Sequence, residues 1–224
     1  MSKENCSRKG CRDVFHAFLV KNAHYDGDLE IPVLQPETEL PNKLISFSKA
    51  MSANDYDQWV HFYEDDVSFE RVWNRPRIYL PKLKKFRGVI SPDFSLYRDM
   101  PLVMQQWNTY RGKALGHWWQ EQGLTVLPNV RAGDERTYDF CCAGAPKQSV
   151  IAVGSYGVIK VKKDREYFQR GLEEIVSRLS PTTVVVYGSA PKDVFSCCYD
   201  NKIRVLQFDS EFAISRKYRK AVTA

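Results

Sequence analysis

Histidine is scarce in this chain: among 224 residues there are four, His16, His24, His61 and His117. No Ser-His-Asp order stands out around them, and nucleophile-elbow, P-loop and His-Glu-x-x-His patterns are missing. Nucleophilic catalysis is therefore not the first expectation. No run approaches the ~18 consecutive apolar residues that a membrane-spanning helix requires. The opening Met1-Ser2-Lys3-Glu4-Asn5-Cys6 leads into charged positions without an apolar stretch. No secretory leader and no membrane span are expected, and the cytoplasm of a bacterial host cell is the default setting. Repeats at solenoid periods and low-complexity tracts are also lacking.

Cysteine is present but badly spaced for a metal or disulfide framework. Of six cysteines, Cys141-Cys142 and Cys197-Cys198 are sequence neighbours, while four residues separate Cys6 from Cys11. Adjacent cysteines do not close comfortably on one another and lack the two-residue spacer of a zinc knuckle. Zinc is not expected. The neighbouring pairs, flanked by Phe140, Ala143, Val194 and Phe195, read as apolar core with one thiol of each pair pointing inward.

What the chain does have is material for a core, being 43% hydrophobic and 13% aromatic. That composition excludes disorder as the main state and suits one large domain. The expected organisation is a tail over residues 1–12, a single α/β domain over 13–211 whose first part (13–58) is irregular, and a basic tail over 212–224.

The formal net charge of +6 is unevenly distributed. Residues 13–66 hold eleven acidic and three basic residues, whereas 67–88 hold seven basic and one acidic. Arg216, Lys217, Arg219 and Lys220 are unopposed in the tail. One reading makes the 71–87 run and the tail a phosphate-backbone footprint, with Lys84, Lys85 and Lys217 as nucleic-acid contacts. The other pairs the basic run with the acidic block before it.

Periodicity gives the fold class. Trp59–Tyr63, Gly88–Ser91, Leu124–Leu127, Val150–Val153, Thr182–Tyr187 and Arg204–Phe208 read as strands, being short and rich in β-branched or aromatic residues. Helical spacing is expected from Asp65 or Asp66 to the break at Pro76, over about 77–85, and over about 101–122. It is expected again over 164–179 and in a short helix opened by Pro191. In the 101–122 helix Val103, Trp107, Tyr110, Ala114 and Trp118 form the expected buried stripe, which leaves Trp119 as a candidate exposed platform for stacking bases. Strands alternating with helices predict a mostly parallel sheet with flanking helices. Because no Gly-x-Gly-x-x-Gly turn follows a strand, an incomplete or irregular β/α barrel is preferred over a doubly wound sheet.

In such folds the C-terminal ends of the strands share one rim, where sites gather. That rule collects Glu64, Asp65 and Asp66; Ser91, Asp93 and Ser95; Asn129, Arg131, Asp134, Glu135 and Arg136; Ser155 and Tyr156; Tyr187 and Ser189; Asp209 and Glu211. Asp93, Asp209 and Asp134 are the candidate catalytic carboxylates. Asp93 and Asp209 are also candidate Mg²⁺ or Mn²⁺ ligands, since hard oxygens suit those ions. Ser91, Asn129, Arg131, Ser155, Tyr187 and Ser189 are candidate ligand-binding residues, with the amides around Gly154–Gly157 and Gly188–Ser189 available to phosphate oxygens. Each carboxylate alone also has a plain account as a helix cap or turn residue, so the expectation rests on convergence.

Gly88-Val-Ile-Ser-Pro-Asp-Phe-Ser-Leu-Tyr-Arg-Asp-Met-Pro101, Gln106–Arg111, Pro128-Asn129-Val130-Arg131 and the Tyr187-Gly188 turn resemble an uncharacterised domain-of-unknown-function family of bacteriophages and integrated mobile elements. The likeness runs over about residues 10–215. It implies a phage or mobile-element setting and carries no reaction with it. The expected function is binding of a phosphate-bearing ligand, nucleotide or nucleic acid, at the rim, with metal-dependent hydrolysis as an extension. The alternative is a non-catalytic protein that docks on a host or replication protein through the acidic 13–66 segment.

Overall fold

A computed structural model describes residue 13 and residues 15–222, without the side chains of 217 and 220–222. Cys6, Cys11, the 1–12 tail and the Lys217 side chain lie outside the described residues.

Seven parallel strands follow one another in chain order. β3 (Leu44–Ser46), β4 (Trp59–His61), β5 (Gly88–Ile90) and β6 (Val126–Leu127) form one sheet, and β7 (Val150–Gly154), β8 (Thr183–Tyr187) and β9 (Arg204–Phe208) form another. A short antiparallel pair, β1 (Tyr25–Asp26) and β2 (Ile31–Pro32), precedes them. The two parallel sheets touch just beyond β6, where Val130 N–H donates to Ala152 O and Ala152 N–H donates to Pro128 O, both at 2.9 Å. The barrel is not closed: β3 and β9 are the outer members of the series and do not pair with each other.

The strands explain their own composition. Leu44, Trp59, Ile90, Leu127, Val150, Ala152, Val185, Tyr187, Leu206 and Phe208 meet in one interior cluster on the concave side. The alternate residues Val60, Val89 and Val126 face a helix-covered cluster, and Ile151, Val153, Val184 and Val186 face a second. With both faces buried, polar alternation has no place, and near-continuous β-branched runs result. Gly88 lets β5 approach β4 closely, since a Cβ there would stand 2.5 Å from the Trp59 ring.

The outer layer comprises α1 (Phe47–Ala50), α2 (Asp66–Asn74), α3 (Pro76–Leu83), α4 (Leu102–Glu121), α5 (Tyr138–Cys141), α6 (Lys162–Leu179), α7 (Ser196–Asp200) and α8 (Glu211–Val222). Pro76 ends α2 and opens α3 as its first residue, where its missing N–H is harmless. α7 starts five residues later than the Pro191 signal implied, because Pro191 caps a turn whose carbonyl accepts from Val194 and Phe195. The basic tail expected over 212–224 is helical through Val222, and Phe212, Ile214 and Tyr218 of that helix are exposed.

α4 departs most from expectation. Val103 and Trp107 of the anticipated buried stripe are exposed, whereas Gln105, Asn108, Arg111 and Gly112 are buried. The reason is a polar neighbour: this half of α4 packs on the segment after β5, with Asn108 Nδ2 donating to Ser95 O at 2.6 Å and Gln105 Nε2 to Met100 O at 2.9 Å. The second half is buried nearly all round, so Trp119 is no platform. It is fully buried and stacks on Phe62 at 5.6 Å.

Candidate functional site

The C-terminal ends of β4, β5 and β6 bring together a buried polar cluster. Asp93, three residues beyond β5, accepts from Asn129 Nδ2 at 2.7 Å and from Arg131 Nη1 at 2.6 Å. Asn129, in the stretch that bridges to β7, is held on every side: its N–H donates to Ser91 Oγ, its Oδ1 accepts from Tyr63 Oη, and its carbonyl accepts from Lys113 Nζ at 2.7 Å. Desolvation pushes the Asp93 carboxyl up, against the pull of Arg131 and Asn129. It pushes the Lys113 ammonium down to about 8 and the Tyr63 phenol well above its usual range.

Beside this cluster, inward-facing aromatics at the ends of β4 and β8 form a stack. Tyr63 and Tyr187 lie 5.2 Å apart and nearly parallel, and His61 sits 4.2 Å from Tyr187. His61 Nδ1 accepts the Tyr63 backbone N–H, so its neutral ring carries the proton on Nε2. Burial lowers its pKa to about 3. Across the open seam, Glu211 accepts from Ser46 Oγ at 3.0 Å and pairs with Lys49 at 2.7 Å. Burial opposes its ionisation, but those two partners outweigh burial and lower its pKa.

A cleft of about 500 Å³ opens on the helix side of the same rim. Its polar wall holds Arg98, Asp164 and Arg131, and its apolar wall holds Val153, Phe168 and Leu172. Glycine makes the walls close: a Cβ on Gly171 would stand 2.8 Å from Ala132 Cβ, and one on Gly154 2.6 Å from the Tyr63 ring. Arg98 pairs with Asp164 at 2.6 Å and lies over the Tyr167 ring.

Of the residues expected from sequence, Ser91, Asp93, Asn129 and Arg131 converge, and Arg131 alone of these lines the large cleft. The others have internal duties. Asp134 caps the 3-10 turn Glu135–Thr137 and pairs with Arg136 at 2.9 Å. Ser155 Oγ donates to Ser189 O at 2.7 Å, and the amides of Ser155 and Gly188 donate to Tyr187 O and Phe208 O. Tyr187 Oη accepts the Glu211 N–H. Asp209 follows β9, which β6, β7 and β8 separate from β5 and Asp93, and it accepts from Gln207. Among the described residues no group of three or more His, Cys, Asp or Glu side chains is placed to hold a metal ion.

Tyr63, Lys113, Arg98, Asp164 and Tyr167 were not expected. Lys113 had no signal that set it apart, since Asn108, Arg111 and His117 make the same helix polar around it. The acidic 13–66 segment spends much of its charge within the fold: Asp66 accepts from Ser95, Asp26 from the Gly144 amide and Glu64 from the Ser48 amide. From the basic run, Arg87 pairs with Glu39 and Asp57. Among the described residues Arg71, Arg75, Arg77, Lys82, Lys84 and Lys85 make no ion pair with that segment.

An open β/α barrel with a buried Asp-Asn-Arg cluster on its rim defines the class of the molecule. By its sequence the chain belongs to the family described as a domain of unknown function, DUF4417, whose model matches residues 23–209. The phage relationship expected from the Ser-Pro-Asp-Phe-Ser region holds as well. The Gene 1 protein of Mycobacterium phage D29 is 37% identical over 166 residues, covering 71% of this chain and 60% of that protein. The Gene 1 protein of Mycobacterium phage L5 is 36% identical over 163 residues, covering 71% of each. The match thus spans less than two thirds of the D29 protein. No solved structure matches. No helix of the described residues is long and apolar enough to cross a membrane.

Proposed function

We propose that the protein binds a nucleotide in the rim cleft, with the phosphate at Arg131 and Arg98 and the base against the apolar wall. The observation that carries this reading is the cleft itself, about 500 Å³ in volume, at the strand-end rim, combining those two guanidiniums with Phe168 and Leu172. Sites for small ligands are apolar hollows with a few placed polar groups, and this volume lies in their usual range. Asp93 holds Arg131 through one N–H of its guanidinium, which positions the remaining donors for a phosphate.

Calorimetric titration with adenine and guanine nucleotides, with and without Mg²⁺, tests the reading. Binding is expected, with Arg98→Gln and Arg131→Lys each weakening it roughly 10- to 100-fold, as loss of a hydrogen bond to a charged group does. Absence of binding to every nucleotide, or wild-type affinity in both variants, overturns it.

A further inference from the structure

The basic run supports a second surface, independent of the cleft. On α3 the inward residues are Pro76 and Leu83, and the outward side of the helix and of the turn after it carries Arg77, Ile78, Pro81, Lys84 and Lys85 without a carboxylate. Arg77 and Lys84 are seven residues apart, so they lie on one side of the helix about 10 Å from each other. Arg77 is fixed with its guanidinium 4.1 Å from the Phe18 ring centre. Phe18, His16, Asn74, Arg75, Arg77 and Ile78 line a surface groove of about 430 Å³. Asp13 lines it too, with its carboxylate accepting the Ala17 amide at 2.9 Å.

Ring contacts lead from that groove to α4. His16 lies 4.9 Å from Trp73, and Trp73 meets Trp107 edge-on at 5.2 Å. Trp107 is 40% exposed and is braced from behind by Tyr110, stacked at 5.6 Å. A partly exposed indole, linked to the Arg75–Arg77 groove through the His16 and Trp73 rings, suits the way single strands are held, with bases on rings and phosphates on Lys and Arg. A duplex hides its base faces and would leave Trp107 unused.

We infer that α3 and Trp107 form a track for single-stranded nucleic acid, with phosphates on Arg75, Arg77 and Lys84 and a base stacked on Trp107. Fluorescence anisotropy of labelled oligothymidylate and oligouridylate, on the order of 15 nucleotides long to span such a site, tests it against a duplex of equal length. The single strand is expected to bind at low salt and more tightly than the duplex, and the DNA and RNA arms show which sugar is preferred. The Arg75→Gln, Arg77→Gln, Lys84→Gln triple variant should flatten the salt slope by about 2, at roughly 0.7 per phosphate contact. Trp107→Ala should weaken binding about tenfold, as loss of one stacked base does, while leaving the slope unchanged. Arg98→Gln should leave oligonucleotide binding intact, which separates this track from the rim cleft. No binding at low salt, equal preference for duplex, an unchanged slope in the triple variant, or loss of binding in Arg98→Gln would each overturn the inference.

Discussion

His61 shows how far one residue's surroundings can move its chemistry. In an unfolded chain its imidazole takes a proton near pH 6.5, but in the fold its pKa is about 3. Between those values the unfolded state binds the extra proton, so stability rises with pH across the window and falls as pH drops from 6.5 toward 3. The full difference corresponds to an upper limit of roughly 4–5 kcal/mol at 1.36 kcal/mol per pKa unit. Urea unfolding of wild type and His61→Phe at several pH values should show a steeper acid loss for wild type. Equal slopes would mean that His61 does not titrate in this way. Reactivity should also differ among the thiols. Cys141, Cys142 and Cys198 are buried and Cys197 is partly exposed. The contact with Cys142 and burial push the Cys141 thiol up, so little thiolate forms there. Of these four, Cys197 should be the first to react with an alkylating reagent in native buffer, and the others should follow only in denaturant. Peptide mapping of the labelled protein reads the order directly.

Elements here are held apart or together by single atoms. The β4–β5 approach depends on Gly88, and Gly88→Ala would drive a methyl group into the Trp59 ring at 2.5 Å. Overpacking of this kind costs about 1–3 kcal/mol, and pairing it with Trp59→Leu should recover part of the loss in a double-mutant cycle. Additive losses would show that the ring is not the obstacle. Asp93 plays the corresponding part between β5 and β6. Asp93→Leu would leave Arg131 without its counter-charge and Asn129 without an acceptor, and a loss of at least about 2 kcal/mol is expected. α4 illustrates why element faces can mislead. Its helical period was legible, with an expected span of about 101–122 against the observed Leu102–Glu121. Its buried side was not, because Ser95 O and Met100 O select Asn108 and Gln105 in place of Val103 and Trp107.

In the three-stranded sheet of the molecule, cohesion is graded from the central strand to the free edge. β8 is buried at every position and hydrogen-bonded on both sides, while β9 has one partner and a mostly half-exposed pattern. Edge strands open more readily than central ones. Amide hydrogen exchange should therefore be slowest in β8 and much faster in β9. Uniform protection across β7–β9 would instead indicate an additional partner covering that edge.

The sequence by itself determined the strands β4–β9 and most helices, the parallel arrangement, and the likeness to a phage family, because each of these is written in contiguous residues. Two-sided burial forces unbroken β-branched runs, and proline and glycine mark where helices stop. It also determined that Ser91, Asp93, Asn129 and Arg131 stand at strand ends. Only the tertiary structure decided which strand-end residues act together. Asp134 turned to its own helical turn and Arg136, while Ser155 turned to Ser189. Lys113 and Tyr63, from a helix and a strand end remote in sequence, converged on Asn129. The physical reason is that a polar side chain has several acceptors within reach, and its choice among them is set by desolvation and by which neighbours the packing of distant segments delivers.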